Sequence, residues 1–151
     1  MEYDEILKEY AEDILHSETF ISEKKYQHHK YTSTYQHSIH VAKIALRFIE
    51  KHHIANVSIP DLVRGALLHD YYLYNWHNRE EKWHKPHAYK HPKIAAQNAL
   101  RDFQVNENVY NSILTHMWPL TLRIPKSKEA WIITYADKVA TYRERFKKET
   151  S

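Results

Sequence analysis

Histidine and aspartate residues carry the chemistry of this sequence. Imidazole or carboxylate groups occupy five inward-facing or helix-end positions between His37 and Asp137. Nitrogen and oxygen ligands of this kind suit Mn, Fe, Zn, Co or Ni. A buried charge is costly unless it is paired, and one cation shared by these groups would satisfy all of them. The pattern therefore indicates a metal site built from residues that are distant in the chain.

The first of these positions is His37, in a helix predicted over Thr34–His53. At about 100° per residue, His37 falls on the edge of the apolar face of this helix. That face is formed by Val41, Ile44, Ala45, Phe48 and Ile49. Taken alone, His37 is better explained as a core histidine that is hydrogen-bonded to a neighbouring carbonyl group.

An adjacent histidine and aspartate, His69 and Asp70, end the apolar run Arg-Gly-Ala-Leu-Leu-His-Asp. Asp137 lies in line with Ile133 and Ala140, on the face of the last predicted helix that should be packed. An ionised carboxylate at that place needs a partner, either a Lys or Arg or a metal held jointly with the histidines.

Two more histidines repeat the pattern. His116 follows Val109 and Ile113 at helical spacing, and His91 precedes Pro92, where a helix is predicted to begin. Each residue, considered singly, could be structural. Their coincidence with the other inward groups favours a shared metal site.

The elements that must position these residues are helical. The chain has 151 residues, no Cys and only 1 Gly, which excludes thiolate ligands and glycine-dependent phosphate loops. Six or seven helices are expected, with Ser22–Lys30 a polar connector or short helix and Asn75–Lys90 a long loop. The main helices are predicted over Glu2–His16, Thr34–His53, Asp61–Tyr72, Pro92–Phe103, Glu107–Met117 and Ser127–Lys148.

Charge and hydropathy narrow the functional classes. The net charge is +3, with 22 basic and 19 acidic residues, which gives no clear nucleic-acid signal. No apolar run reaches the length of a membrane span, and the N-terminus is acidic, so no membrane association and a cytoplasmic location are expected. The oligomeric state stays open.

The order of these motifs resembles the HD-domain superfamily of metal-dependent phosphohydrolases, in particular small bacterial members. The resemblance is carried by Tyr-Gln-His-Ser-Ile-His-Val-Ala around His37, Leu-Leu-His-Asp, and Ala-Asp-Lys around Asp137. It implies an all-α, single-domain HD-type helical bundle over residues 1–151, with its core at 35–145. It also implies a first metal held by four ligands, His37, His69, Asp70 and Asp137. His91 and His116 resemble the two extra histidines of members with a second metal, where Asp70 bridges the ions and orients metal-bound water.

Two positions depart from the superfamily pattern. Leu73 stands where many phosphohydrolase members have a Lys three residues after the paired Asp. Met117 follows His116, whereas the cyclic-dinucleotide phosphodiesterase branch has two adjacent histidines and a Gly-Tyr-Pro segment. That branch is therefore disfavoured.

The implied function is hydrolysis of a phosphate ester, of a nucleotide or another small phosphorylated metabolite, by metal-bound hydroxide with two divalent ions (Mn, Fe, Co, Ni or Zn). The alternatives are a di-iron oxygenase on the same His/Asp frame and a non-catalytic nucleotide-binding module.

Five residues of the long loop are predicted to contact the substrate. The alternative is that their side chains are simply solvated and have no role in binding. They are His77, Arg79, Lys82, Trp83 and Lys85. The remaining histidines, among them His28 and His40, are predicted on the solvated surface.

Overall fold

The computed structural model describes residues 2–29, 31–74 and 84–150, without the side chains of residues 29, 84–87 and 147–150. Within these ranges the chain forms the helices α1 (Tyr3–Leu15), α2 (Glu18–Ile21), α3 (Thr34–His52), α4 (Ile59–Leu68), α5 (His84–Phe103), α6 (Glu107–Leu114) and α7 (Lys128–Thr150). A 3-10 turn at Ser22–Lys25 leads into a hairpin of two antiparallel strands, β1 (Gln27–His29) and β2 (Thr32–Ser33). The expected all-α bundle is confirmed.

Side-chain caps fix where three of the helices begin. Ser33 precedes α3, Ser58 precedes α4 and Asn106 precedes α6, and each side-chain oxygen accepts a hydrogen bond from the backbone N–H three residues later. Such a bond satisfies one of the amides that a helix start leaves without a partner. The start of each helix is thereby fixed in the sequence, and with it the rotation of the residues that follow.

Helix α4 lies at the centre of the bundle, packed against α1, α3, α6 and α7. Six of its ten residues are buried, and its two charged residues, Asp61 and Arg64, lie three positions apart on the remaining strip. Burial of this surface is the main stabilising contribution to the fold, and it places the C-terminal end of α4 deep in the protein. Among the described residues, no helix combines the length and hydropathy that crossing a membrane requires.

The helices predicted over Asp61–Tyr72 and Glu107–Met117 end about one turn earlier, at Leu68 and Leu114. In both cases a histidine shortly after the helix donates its Nδ1–H to the carbonyl oxygen three residues before it, at 2.7 Å. A side chain that occupies a carbonyl in this way competes with the backbone bond that would continue the helix. Apolar periodicity cannot detect that competition, so the predicted ends were wrong.

The predicted loop over Asn75–Lys90 is also wrong in part, because α5 begins at His84. Pro86 lies in the first turn, where the amide has no helical acceptor and a proline is tolerated. Pro92, which was predicted to begin the helix, lies inside it. His91 is therefore presented from the interior of a helix rather than from its start.

The single glycine of the chain lies where α4 packs against α7. A Cβ atom at Gly65 would lie 2.7 Å from Cδ1 of Ile133, which is fully buried. This distance is shorter than a van der Waals contact, so Ile133 would have to move within a packed core.

We expect Gly65→Ala to lower the free energy of unfolding by about 1–2 kcal/mol, although alanine is the better helix former. Ile133→Val removes the carbon in conflict and costs about 1 kcal/mol by itself. In urea unfolding, the double variant should lose less free energy of unfolding than the sum of the losses of Gly65→Ala and Ile133→Val. We expect the difference to be at least ~0.5 kcal/mol. Additive losses would contradict this account of the contact.

Candidate metal centre

The structure brings all six sequence-predicted ligand residues into one buried cluster. They come from five places in the fold: His37 from α3, His69 and Asp70 from the turn after α4, His91 from α5, His116 from the turn after α6, and Asp137 from α7. Their side chains are at most 13% exposed. The centre therefore depends on the packing of the whole bundle.

One half of the cluster surrounds Oδ1 of Asp137. Nε2 of His37 lies 2.8 Å from this oxygen and Nε2 of His69 lies 3.3 Å from it. The two ring nitrogens are 3.3 Å apart. With Asp70 they form a group of four whose ligand atoms all lie within 4.8 Å of one another.

The other half consists of Asp70, His91 and His116, whose ligand atoms meet the same 4.8 Å limit. Nε2 of His91 and Nε2 of His116 are 3.0 Å apart. They lie 3.2 and 3.4 Å from Oδ1 of Asp70.

Asp70 divides its two oxygens between these halves. Oδ1 faces His91 and His116, whereas Oδ2 lies 3.3 Å from Nε2 of His69 and 3.7 Å from Nε2 of His37. A carboxylate placed in this way can join two metal ions, one at each oxygen. The geometry thus fits two adjacent cation positions that share Asp70.

Backbone carbonyl groups determine which nitrogen of two rings faces the cluster. Nδ1 of His69 lies 2.7 Å from the carbonyl oxygen of Ala66, and Nδ1 of His116 lies 2.7 Å from that of Ile113. Because a carbonyl oxygen only accepts, each Nδ1 carries a hydrogen and Nε2 is left to bind a cation. Outer hydrogen bonds of this type orient metal-binding histidines in proteins.

Glu144 orients the ring of His37 through a bond to Nδ1. The sequence analysis did not identify Glu144. Its carboxylate lies 2.9 Å from Nδ1 of His37 and 2.7 Å from Nδ1 of His40. Burial alone would raise the pKa of Glu144, but the bonds from the two histidines lower that pKa to about 2. Glu144 lies two turns after Asp137 on α7, a spacing that places both on the same helix face. His40, predicted on the surface, is therefore part of the support of the centre.

The first half of the cluster requires positive charge. Neutral His69 holds its hydrogen on Nδ1, so the lone pair of its Nε2 faces Oδ1 of Asp137. Neutral His37 has one hydrogen for two carboxylates, Glu144 at Nδ1 and Asp137 at Nε2, so one of its lone pairs also faces a carboxylate oxygen. Two protons or a metal cation would relieve this conflict. Burial alone would lower the pKa of His37, but its bonds to Asp137 and Glu144 outweigh burial and raise the pKa to about 9.

The other groups respond to the same charges. Burial disfavours the charged form of His69, yet Asp70 and Asp137 raise its pKa well above the usual value. Burial would likewise raise the pKa of Asp70 and Asp137, but the surrounding histidines hold both well below the normal range. His116 is the exception, because burial lowers its pKa and leaves it neutral. The centre therefore holds two carboxylates that stay ionised.

The segment expected to be a polar connector or short helix brings His28 to the centre. The hairpin strand β1 stacks the ring of His28 on that of His37, with centroids 3.8 Å apart. Nδ1 of His28 lies 3.6 Å from Oδ2 of Asp70. The prediction of a surface position for His28 was wrong, because two short strands give no helical period that would reveal an inward side chain.

Glu23 in the 3-10 turn is a further buried acid that the sequence did not reveal. It is fully buried, and neither of its carboxyl oxygens has a hydrogen-bond partner among the described residues. Burial and the nearby charge of Asp70 raise its pKa well above the usual value. Both causes disfavour a third negative charge beside the two ionised aspartates.

The predicted substrate-contacting residues of the long loop are not located by the structure. His77, Arg79, Lys82 and Trp83 lie outside the described residues, and so does the side chain of Lys85. Their contact with a substrate stays a prediction.

Metal-free protein should become less stable as the pH rises from about 6.5 to 9. His37 titrates near 6.5 when exposed and at about 9 in the fold, so its stabilising contribution is complete below pH 6.5 and is lost as the pH passes 9. The full loss is about 3 kcal/mol. Urea unfolding in the presence of a chelator would measure it. Glu144→Gln should move the loss to lower pH, whereas the exposed-site control His16→Ala should not, and a flat wild-type profile would contradict the charge argument.

Comparison with known protein families agrees with this geometry. The family model of the HD domain matches residues 34–142, more than two thirds of the chain, and this range contains all six residues of the cluster. Comparisons with curated proteins and with solved structures gave no match. On the family match, this chain belongs to the HD-domain family, within the superfamily of metal-dependent phosphohydrolases.

Proposed function

We propose that the protein is a binuclear metal-dependent phosphohydrolase that cleaves a phosphate ester of a small metabolite. The observation that carries the proposal is the division of the two Asp70 oxygens between two groups of histidines. A single cation bound with one of these groups would leave the histidines of the other group without a ligand role. Two cations a short distance apart are the arrangement that many phosphate-cleaving enzymes use.

The side chains fit such a pair of ions. Three residues, His37, His69 and Asp137, would hold the first ion, and His91 and His116 the second, with Asp70 joining the two. Divalent ions bound there would neutralise phosphate charge and lower the pKa of water toward neutrality. Asp70, ionised and buried, would also be placed to accept a hydrogen bond from the attacking water and to orient it.

Elemental analysis of untagged protein purified without chelator tests the proposal. We expect about two equivalents of Mn, Fe, Co, Ni or Zn in the wild type. His116→Ala removes a ligand of the second position only and should leave about one equivalent, whereas Asp70→Ala removes the shared ligand and should lower both. The matched control His16→Ala, at an exposed position, should retain two. Protein that binds no transition metal in any form would contradict the proposal.

An assay of phosphate release distinguishes a phosphohydrolase from an oxygenase and from a non-catalytic binding module. The reconstituted protein should release phosphate from small phosphate esters with Mn or Zn under anaerobic conditions, and Asp70→Ala should lower the rate at least a hundredfold. Activity that requires iron and consumes oxygen would instead identify an oxygenase on the same ligands. Two bound metals without any turnover would favour a non-catalytic binding module.

A further inference from the structure

One face of α5 binds the turn that carries the shared ligand Asp70. His91, Ala95, Asn98 and Asp102 follow one another at steps of four, three and four residues, which is the spacing of a single helix face. Helix α5 packs mainly against α6 and makes only slight contact with α4. A set of hydrogen bonds from this face connects α5 directly to the turn after α4.

Asn98 binds the backbone of that turn. Its Nδ2 group donates to the carbonyl oxygen of Tyr71 at 3.1 Å and to that of Tyr72 at 3.4 Å. Both tyrosines directly follow Asp70, and both are almost completely buried. A buried carbonyl group that loses its donor costs free energy, so Asn98 favours one position of the backbone beside the shared ligand.

One turn further along α5, Asp102 binds the side chain of Tyr71. The hydroxyl group of Tyr71 donates to Oδ2 of Asp102 at 2.6 Å, and Oγ1 of Thr19 bonds to the same hydroxyl group. A bond from Arg101 lowers the pKa of Asp102, which strengthens it as an ionised acceptor. We call Asn98, Tyr71 and Asp102 the α5 latch.

The α5 latch acts on the half of the cluster that would hold the second ion. His91 lies two turns before Asn98 on the same helix face, and its Nε2 lies 3.2 Å from Oδ1 of Asp70. Its ring also meets the ring of Tyr72 edge-on, with centroids 5.6 Å apart. A displacement of α5 would therefore change the separation of His91 and Asp70, whereas the ligands of the first position come from α3, α7 and the turn itself.

We propose that Asn98, Tyr71 and Asp102 are positioning residues that set the affinity of the second cation position without setting that of the first. The inference rests on the binuclear centre of the proposed function. The second position has three ligand residues where the first has four, so it is the weaker of the two. The first position has its own supports, the carbonyl group that binds His69 and the carboxylate of Glu144.

Titration of the metal-free full-length protein with Mn²⁺ measures both positions. We expect two ions to bind the wild type, the second more weakly than the first. Asn98→Ala and Tyr71→Phe should each weaken the second ion about ten- to a hundredfold, the usual effect of losing an outer partner of a metal ligand. The dissociation constant of the first ion should stay as in the wild type.

Two further variants separate positioning from a general loss of structure. Asp102→Asn keeps an oxygen that accepts the hydrogen bond of Tyr71, so it should bind the second ion more tightly than Tyr71→Phe does. Gln97→Ala is the matched control, because Gln97 is an exposed amide side chain of α5 next to Asn98. It should bind both ions like the wild type.

Three results would overturn the inference. They are a wild type that binds a single Mn²⁺ ion, latch variants that weaken both ions by the same factor, and latch variants that bind the second ion as the wild type does. Asn98→Ala keeps the test decisive if Tyr71→Phe does not fold, because Asn98 is only partly buried.

Phosphate release by the same proteins separates this inference from the proposed function. If the latch variants lose the second ion selectively but no ester is cleaved by the wild type, the phosphohydrolase proposal fails and the positioning role stands. If the wild type cleaves esters and the latch variants bind both ions as tightly as the wild type, the positioning role fails and the phosphohydrolase proposal stands.

Discussion

Two ionised aspartates, enclosed among histidine nitrogens in the protein interior, impose a demand for positive charge that the rest of the structure is arranged to meet. His37 has a carboxylate at each ring nitrogen, Glu144 at 2.9 Å and Asp137 at 2.8 Å, and Nε2 of His69 lies 3.3 Å from the same oxygen of Asp137. The cluster is therefore unfavourable unless protons or metal ions enter it. The pKa of His37 is raised for this reason, so the ring keeps its second proton to a higher pH than an exposed histidine. The same nitrogens and oxygens would bind a divalent ion once those protons leave.

The groups around the cluster hold it in a form that is ready for cations. The carbonyl oxygens of Ala66 and Ile113, at the ends of α4 and α6, accept hydrogen bonds from Nδ1 of His69 and Nδ1 of His116. The carboxylate of Glu144 binds Nδ1 of His37. The two bonds to carbonyl oxygens also shape the backbone, since α4 and α6 end close to where His69 and His116 bind these oxygens. Glu23 lies close by, and burial together with the negative charge of Asp70 raises its pKa and so disfavours its ionised form.

Most of the cluster could be predicted from the sequence, and what could not has physical reasons. His37 and Asp137 lie in line with apolar residues of long helices, and His69 and Asp70 follow a buried apolar run, so periodicity identified them. His28 comes from a hairpin too short to show a period. Glu144 was missed because its role depends on α3, which lies about a hundred residues earlier and meets α7 only in the folded chain. The bundle itself was predictable, whereas the ends of α4 and α6 and the start of α5 depend on side-chain bonds and proline placement that hydrophobicity does not describe.

The origin of the cluster in five separate elements has a consequence for unfolding. Ions held between α3, α5, α7 and the two turns would act as cross-links that close long segments of chain, in the manner of several disulfides in a protein that has no cysteine. Each closed segment restricts the unfolded chain as long as the ion remains bound. Loss of the ions would remove these cross-links, so the metal-loaded protein would unfold more slowly than the metal-free protein.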